Sequence, residues 1–258
     1  MKRSLRILSA FVRMSLQESM TYRLGGLMWV LNGAIPNLIS MYIWNLVGGD
    51  KNQNIVYFLG VILLHRVTQT WALGEISDRI KDGTLAQSLL RPYSFMFEVF
   101  AKDIGQKANR LFTAVPLVIV LWLIINPVIN LNLVYLLLAI PAVLLGYLVN
   151  FYLDSSFGLL TNWMGEAGGL ARTLEVIKWL AAGFMIPFVF MPESIRNILN
   201  ILPFRYLFSF PLELFMSQLS QKSITYGYLI LGIWCLILML LFKWLSTVSM
   251  KYFSAHGG

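Results

Sequence analysis

Long apolar runs recur along the chain and alternate with shorter polar stretches that carry most of its charge. A helical run of about twenty apolar residues crosses the ~30 Å hydrocarbon core of a bilayer. Six such runs predict membrane spans at residues 24–47, 55–73, 111–126, 133–153, 173–191 and 224–245. We therefore expect an all-α membrane protein with a single transmembrane domain over residues 1–258.

Two segments outside these runs have apolar faces of their own. Residues 1–23 repeat leucine and valine at helical spacing opposite basic side chains, which predicts an amphipathic helix on the inner membrane surface. Residues 192–221 are too polar to span and too apolar for an ordinary loop. We expect two short helices there, separated by Pro203 and Pro211, in an external re-entrant hairpin before the last span. A loop that closes over a cavity is the alternative.

Composition sets the class and the orientation of the chain. Hydrophobic residues make up 58% of the sequence and charged residues only 12%, which is untypical of a soluble globular domain. The net charge of +8 clusters at the ends of the spans, so it indicates membrane orientation and no nucleic-acid partner. Fifteen Lys and Arg lie on the side of the N-terminus and four on the other. The positive-inside rule then predicts a multi-pass protein of the cell membrane with both termini cytoplasmic.

The sequence contains no recognisable catalytic or metal-binding motif. His65 and His256 are far apart, and Cys235 is the single cysteine. A G-x-x-x-x-G-K-[ST] motif does not occur, so we expect no P-loop nucleotide site on this chain. We therefore predict a chain that is not an enzyme and binds neither metal nor cofactor itself.

Polar residues within the spans are candidates for lining a pathway. Arg66 lies in the middle of the second predicted span, where a charge costs at least ~2.5 kcal/mol unless it is paired or hydrated. It either lines a substrate path or pairs across the bundle, or it is an interfacial arginine on a span that ends earlier. His65 and Asn150 are the other candidates for lining a pathway.

The most polar internal stretch lies between the second and third spans, at residues 74–95. Ile76 and Ile80 stand one helical turn apart among charged residues, which predicts a short amphipathic helix. Gly83 follows at a position suited to a helix cap with positive φ, and leucines beyond it form a second apolar face. Such a helix fits a groove of a partner protein, although a solvated loop is the alternative.

This stretch resembles the coupling segment of type-2 ABC exporter permeases. The resemblance rests on Gly83 with the following Thr-Leu, on Leu-Leu-Arg-Pro at 89–92, and on Leu-Pro-Phe-Arg-Tyr at 202–206. It covers essentially the whole chain. It implies that two six-span permease subunits, of the same or different sequence, form the pathway of an ATP-driven exporter. A separate ATP-binding subunit would then hold ATP and Mg and touch residues 75–95.

On that resemblance, a set of residues is expected to contact the ATPase subunit: Glu75, Asp78, Arg79, Lys81, Asp82, Gly83, Leu85, Leu89 and Leu90. An ion-coupled secondary transporter without an ATPase partner is the alternative class. Such a transporter needs acidic residues within its spans and often carries internal repeats. The sequence has no acidic residue in the middle of a predicted span.

Overall fold

The structure is a computed structural model that describes residues 2–21, 23–129, 132–165 and 167–252. Within these ranges all regular elements are helical, which confirms the all-α prediction. Short 3-10 turns lie at Phe188–Phe190 and Phe204–Leu207. The α-helices are α1 (Lys2–Thr21), α2 (Arg23–Val47), α3 (Lys51–Thr68), α4 (Ala72–Lys81), α5 (Leu85–Leu89), α6 (Phe95–Ile125), α7 (Leu133–Leu159), α8 (Thr161–Met164), α9 (Gly168–Ala181), α10 (Glu193–Leu199), α11 (Ser209–Phe215) and α12 (Gln221–Tyr252).

Four stretches of the described residues are long and apolar enough to cross a membrane: Lys51–Lys81, Phe95–Ile125, Leu133–Met164 and Gln221–Lys251. The first predicted span, 24–47, coincides with the 25-residue helix α2. The fifth, 173–191, differs, because α9 begins at Gly168 and stops at Ala181, and Gly183 then adopts a positive φ of 88°. The count of six spans therefore stays a prediction.

Two helix boundaries in the structure differ from the predicted ones. Helix α3 ends at Thr68, before the predicted limit of 73. Helix α6 is one continuous element of 31 residues that starts at Phe95, well before the predicted start of its span at 111. Its polar first half reads as an interface segment in sequence, yet Glu98 and Asp103 there are each 3% exposed. Both carboxylates are paired inside the molecule, as described below.

Helix α7 lies at the centre, in contact with α12, α4, α11 and α3. One apolar cluster joins its middle to the segment before α12, around Phe58, Phe184, Tyr206 and Phe210. A second cluster joins its C-terminal half to α4, α5 and α6. Close approach of α4 requires Gly158, because a Cβ there would lie 2.9 Å from the backbone oxygen of Leu73.

The N-terminal segment and residues 192–221 both contain helices. Helix α1 is present and packs on α6, and its position at the membrane surface stays a prediction. Residues 192–221 form α10, a 3-10 turn and α11. Pro211 lies within the first turn of α11 and does not separate two helices, since a first-turn residue needs no intrahelical N–H bond. Residues 253–258, the predicted cytoplasmic C-terminus, lie outside the described residues.

Candidate functional site

The helical structure is interrupted between α3 and α4 at residues 69–71, which we call the first joint. A break leaves backbone groups without helical partners, which is costly where water is excluded. Neighbouring helices supply the partners. The Gln69 oxygen accepts bonds from Lys107 Nζ (2.6 Å) and Arg110 Nη1 (3.1 Å) of α6. The Trp71 N–H donates to Asp103 Oδ1 at 3.3 Å.

Further groups complete the first joint. Asn150 of α7 donates its amide N–H to the Thr68 oxygen at 2.8 Å. Asp103 also pairs with Lys107 at 3.0 Å and accepts a bond from the Tyr147 hydroxyl at 3.0 Å. Lys107 Nζ lies 4.1 Å from the centre of the Tyr147 ring. A buried carboxylate and a buried ammonium thus balance each other beside the broken helix.

Beyond α4 the chain turns sharply at Gly83, whose φ is +69°. Its N–H donates to the Ile80 oxygen at 3.3 Å, which ends α4 before α5 begins. Nothing lies within 4 Å of a Cβ built on this glycine, so only the backbone conformation favours glycine here. A helix, a glycine turn and a second short helix thus follow one another in this segment.

The apolar faces of α4 and α5 are turned towards their own chain. Ile76 and Leu85 are each 0% exposed and pack with Phe95, Phe151 and their neighbours. Leu85 therefore fixes α5 to α6 and α7, and its expected contact with an ATPase stays a prediction. Leu90 is 87% exposed and offers an apolar side chain to a partner. The side chain of Leu89 lies outside the described residues.

Two more of the expected contact residues serve an internal ion-pair network. Glu75 pairs with Arg79 and with Lys102, both at 2.7 Å. Arg79 also reaches Glu98 at 2.9 Å, and Glu98 binds Arg91 at 2.7 Å. Arg79 further donates to the Ser88 hydroxyl of α5 at 2.7 Å. The network clamps α4 and α5 to α6, because charge-assisted hydrogen bonds in partly buried geometry are strong.

Among the residues expected to contact the ATPase, those with exposed side chains are Asp78, Lys81, Asp82 and Leu90. These side chains are free to meet another protein. Their contact with an ATPase subunit stays a prediction.

A cavity of about 420 Å³ lies beside the first joint, bounded by α2, α3, α7 and α9. The three residues predicted to line a pathway, His65, Arg66 and Asn150, are all in its wall. Asp154 and Lys178 also line it and form an ion pair. Sequence position alone could not bring these residues together, because they come from three helices, α3, α7 and α9.

Arg66 lies at the end of α3 and in the cavity wall. It lies in the last turn of α3, since the helix ends earlier than predicted, yet it is only 3% exposed. Its guanidinium lies over Gly33 of α2, where an added Cβ would overlap it. His65 lies against the rings of Phe184 (4.7 Å between centroids) and Phe208 (5.9 Å).

A sequence model described as ABC-2 family transporter protein matches residues 37–256, which is most of the chain. The chain belongs to the ABC-2 transporter family. It is thus a permease of an ABC transporter and a multi-pass membrane protein. A comparison with curated protein sequences found no match.

The permease has a second interruption after α9, at residues 182–187, which we call the second joint. Its caps are uncharged. The Tyr57 hydroxyl donates to the Gly183 oxygen at 2.8 Å, and the Ser209 hydroxyl donates to the Ala182 oxygen at 3.0 Å. Trp44 of α2 donates to the Met185 oxygen at 2.9 Å. The second joint also contributes Phe184 to the cavity wall.

The charged residues that hold the first joint of the permease are hard to recognise from sequence. Asp103 and Lys107 lie in a polar run that reads as an interface segment, although their i,i+4 spacing already suits a pair. The break itself has no glycine or proline to mark it.

Proposed function

We propose that this permease forms the membrane pathway of an ATP-driven exporter together with a second permease subunit of the same or different sequence. Residues 75–95 would couple it to a separate ATP-binding subunit, which would hold ATP and Mg. Family membership supports an ATP-binding partner in general. The termini and residues 75–95 would face the cytoplasm, as the charge asymmetry favours.

One observation supports the coupling role above the others. The segment formed by α4, Gly83 and α5 is clamped firmly to α6 and α7, yet it leaves one charged face open. Its N-terminal end is the first joint, and Asn150 both caps that joint and lines the cavity. Displacement of the exposed face would therefore reach the cavity through a continuous set of contacts.

A co-purification experiment tests the coupling role. The double variant Asp78→Lys/Asp82→Lys reverses two exposed charges without touching the internal network. We expect it to lose the ATP-hydrolysing subunit during purification and to lose ATP-dependent export, while membrane insertion stays normal. Charge complementarity sets register and specificity at such contacts, so reversal opposes docking.

The matched control is Lys243→Glu/Lys251→Glu, which reverses two exposed charges on α12, on the same predicted side. It should retain the ATPase and export. Normal co-purification and export by the Asp78→Lys/Asp82→Lys variant would remove the coupling role. Export by the purified permease alone, driven by an ion gradient, would instead favour a secondary transporter.

Orientation is tested by labelling from outside the cell. In a Cys235→Ser background, Lys51→Cys and Ser220→Cys should react with an impermeant thiol reagent in intact cells. Gln87→Cys should react only after permeabilisation. All three positions are exposed in the structure, so accessibility reports the side of the membrane. The reverse pattern would overturn the topology.

A further inference from the structure

Asn150 and His65 of the cavity wall each carry a buried polar atom that lacks a hydrogen-bond partner among the described residues, Oδ1 and Nδ1 respectively. Asn150 is 5% exposed and His65 is 7% exposed. A buried polar atom without a partner costs roughly 1–3 kcal/mol, so each atom favours a ligand that can satisfy it.

The chemistry of the Asn150 atom is fixed by its neighbour. Only the amide NH₂ can donate to the Thr68 oxygen, which lies 2.8 Å away. Oδ1 is therefore the atom left over, and it can only accept a hydrogen bond. The matching ligand group must be a donor. A hydroxyl also suits His65 Nδ1, because it can donate to an imidazole nitrogen or accept from it in either tautomer.

The rest of the wall suits an apolar body. Trp179 stacks on Phe184 with 5.4 Å between ring centroids, and Phe208 lies beside them. The volume of about 420 Å³ lies in the range of ~300–1,000 Å³ typical of small-molecule sites.

The charges of the wall balance formally. Arg66 and Lys178 are cationic, whereas Asp154 and Glu175 are anionic, and Lys178 already pairs with Asp154. A ligand with a net charge of either sign would find no excess of the opposite sign there. The wall therefore favours an uncharged ligand.

From this arrangement we propose that the cavity binds an uncharged amphipathic molecule, with a hydroxyl bonded to Asn150 Oδ1 and its apolar body against Trp179 and Phe184. This assignment rests on the proposed function, since it names the substrate class of the pathway. The hydroxyl could belong to a lipid or to a free small molecule.

Binding is measured on the full-length permease in phosphatidylcholine nanodiscs without any ATPase. The probe is tritiated 2-naphthalenemethanol, and binding to empty nanodiscs is subtracted. We expect saturable binding, weakened roughly tenfold for the methyl ether of the same alcohol, which cannot donate, because one hydrogen bond to a buried atom is lost. 2-Naphthoate and the 2-naphthylmethyl-trimethylammonium ion should also bind at least about tenfold more weakly.

Two variants assign the effect to the cavity. Asn150→Leu should remove the preference for the alcohol over the ether, and His65→Phe, which keeps the ring, should reduce it. Asn54→Leu is the control, because Asn54 is equally buried and donates to the oxygens of Trp44 (3.3 Å) and Gly48 (3.2 Å) but lies outside the cavity. It should keep the full preference.

If dioleoylglycerol placed in the nanodisc displaces the probe, the site binds a hydroxylated lipid. If it does not displace the probe, the site binds a free amphipathic molecule. Equal binding of alcohol and ether by the parent permease would overturn the proposal, as would binding no greater than that of empty nanodiscs. The proposal would also be overturned if Asn150→Leu and His65→Phe both kept the full preference for the alcohol over the ether. Because no ATPase is present, failure of the coupling role would leave these results unaffected.

Discussion

The first joint and the second joint both interrupt a helix beside the same cavity, but their neighbours cap them with different chemistry. Long charged side chains of α6 and an amide of α7 cap the first joint. Two hydroxyls, the Trp44 indole and a glycine in the left-handed conformation close the second. We expect long ionic side chains to follow a moving backbone more readily than these uncharged caps, which are held in tight contact. We therefore expect the first joint to transmit displacement from the coupling segment and the second to anchor the cavity wall.

The largest effect should come from removing one charge of the first joint. Lys107→Met leaves Asp103 buried without its ammonium and removes a bond to the Gln69 oxygen. Breaking a buried pair in this way costs about 3–5 kcal/mol. A strong fall in Tm should appear in thermal unfolding followed by tryptophan fluorescence in detergent.

A double variant checks the origin of that loss. Lys107→Met/Asp103→Leu removes both charges and should be more stable than Lys107→Met alone, because no buried charge remains unpaired. The exposed control Lys243→Met should leave Tm nearly unchanged. A Tm for Lys107→Met equal to that of the control would contradict a structural role for the pair.

The second joint should tolerate even a methyl group poorly. Gly183→Ala forces a φ of 88° on a residue with a Cβ and overlaps the hydroxyls of Ser209 and Tyr57. Strain of this kind costs on the order of 1–3 kcal/mol before the overlap is counted. The measurement is again Tm in detergent. A parent-like Tm would show that the second joint can relax, and would weaken its role as an anchor.

A smaller loss is expected for Tyr57→Phe, which removes only the hydroxyl that donates to Gly183. A buried carbonyl left without a partner costs about 2 kcal/mol. The fall in Tm should be less than for Lys107→Met. A fall in Tm equal to or larger than that of Lys107→Met would contradict the proposed difference between charged and uncharged caps.

The smallest loss of stability should follow Gly83→Ala. Its φ of 69° is also unfavourable for alanine, but nothing surrounds the added methyl, so the cost is about 1 kcal/mol. The difference in Tm between Gly183→Ala and Gly83→Ala therefore reports the cost of steric overlap, because both variants carry the backbone strain and only the first is crowded. ATPase activity of the purified complex, measured beside Tm, should fall if the turn sets the orientation of the exposed face.

Local features of the permease could be predicted from sequence, and features that depend on distant partners could not. Gly83 was found because a helix end followed by glycine is a local signal. The sequence does not show whether the apolar side of α4 is buried in its own chain, because an apolar stripe such as that of Ile76 can pack on its own chain as well as on a partner. The first joint was missed because it exists only through caps from α6 and α7.

Those caps also have consequences for biosynthesis. Asp103 lies 32 residues after Trp71, and Asn150 lies 82 residues after Thr68. At ribosomal rates of roughly 5–20 residues per second, the last cap is synthesised several seconds after the break it serves. During that interval the exposed peptide groups at residues 69–71 would be costly in lipid, so they must be held by water or by the insertion machinery. We therefore expect α3 to be released into the bilayer together with α6 and α7, as a group of helices rather than one at a time.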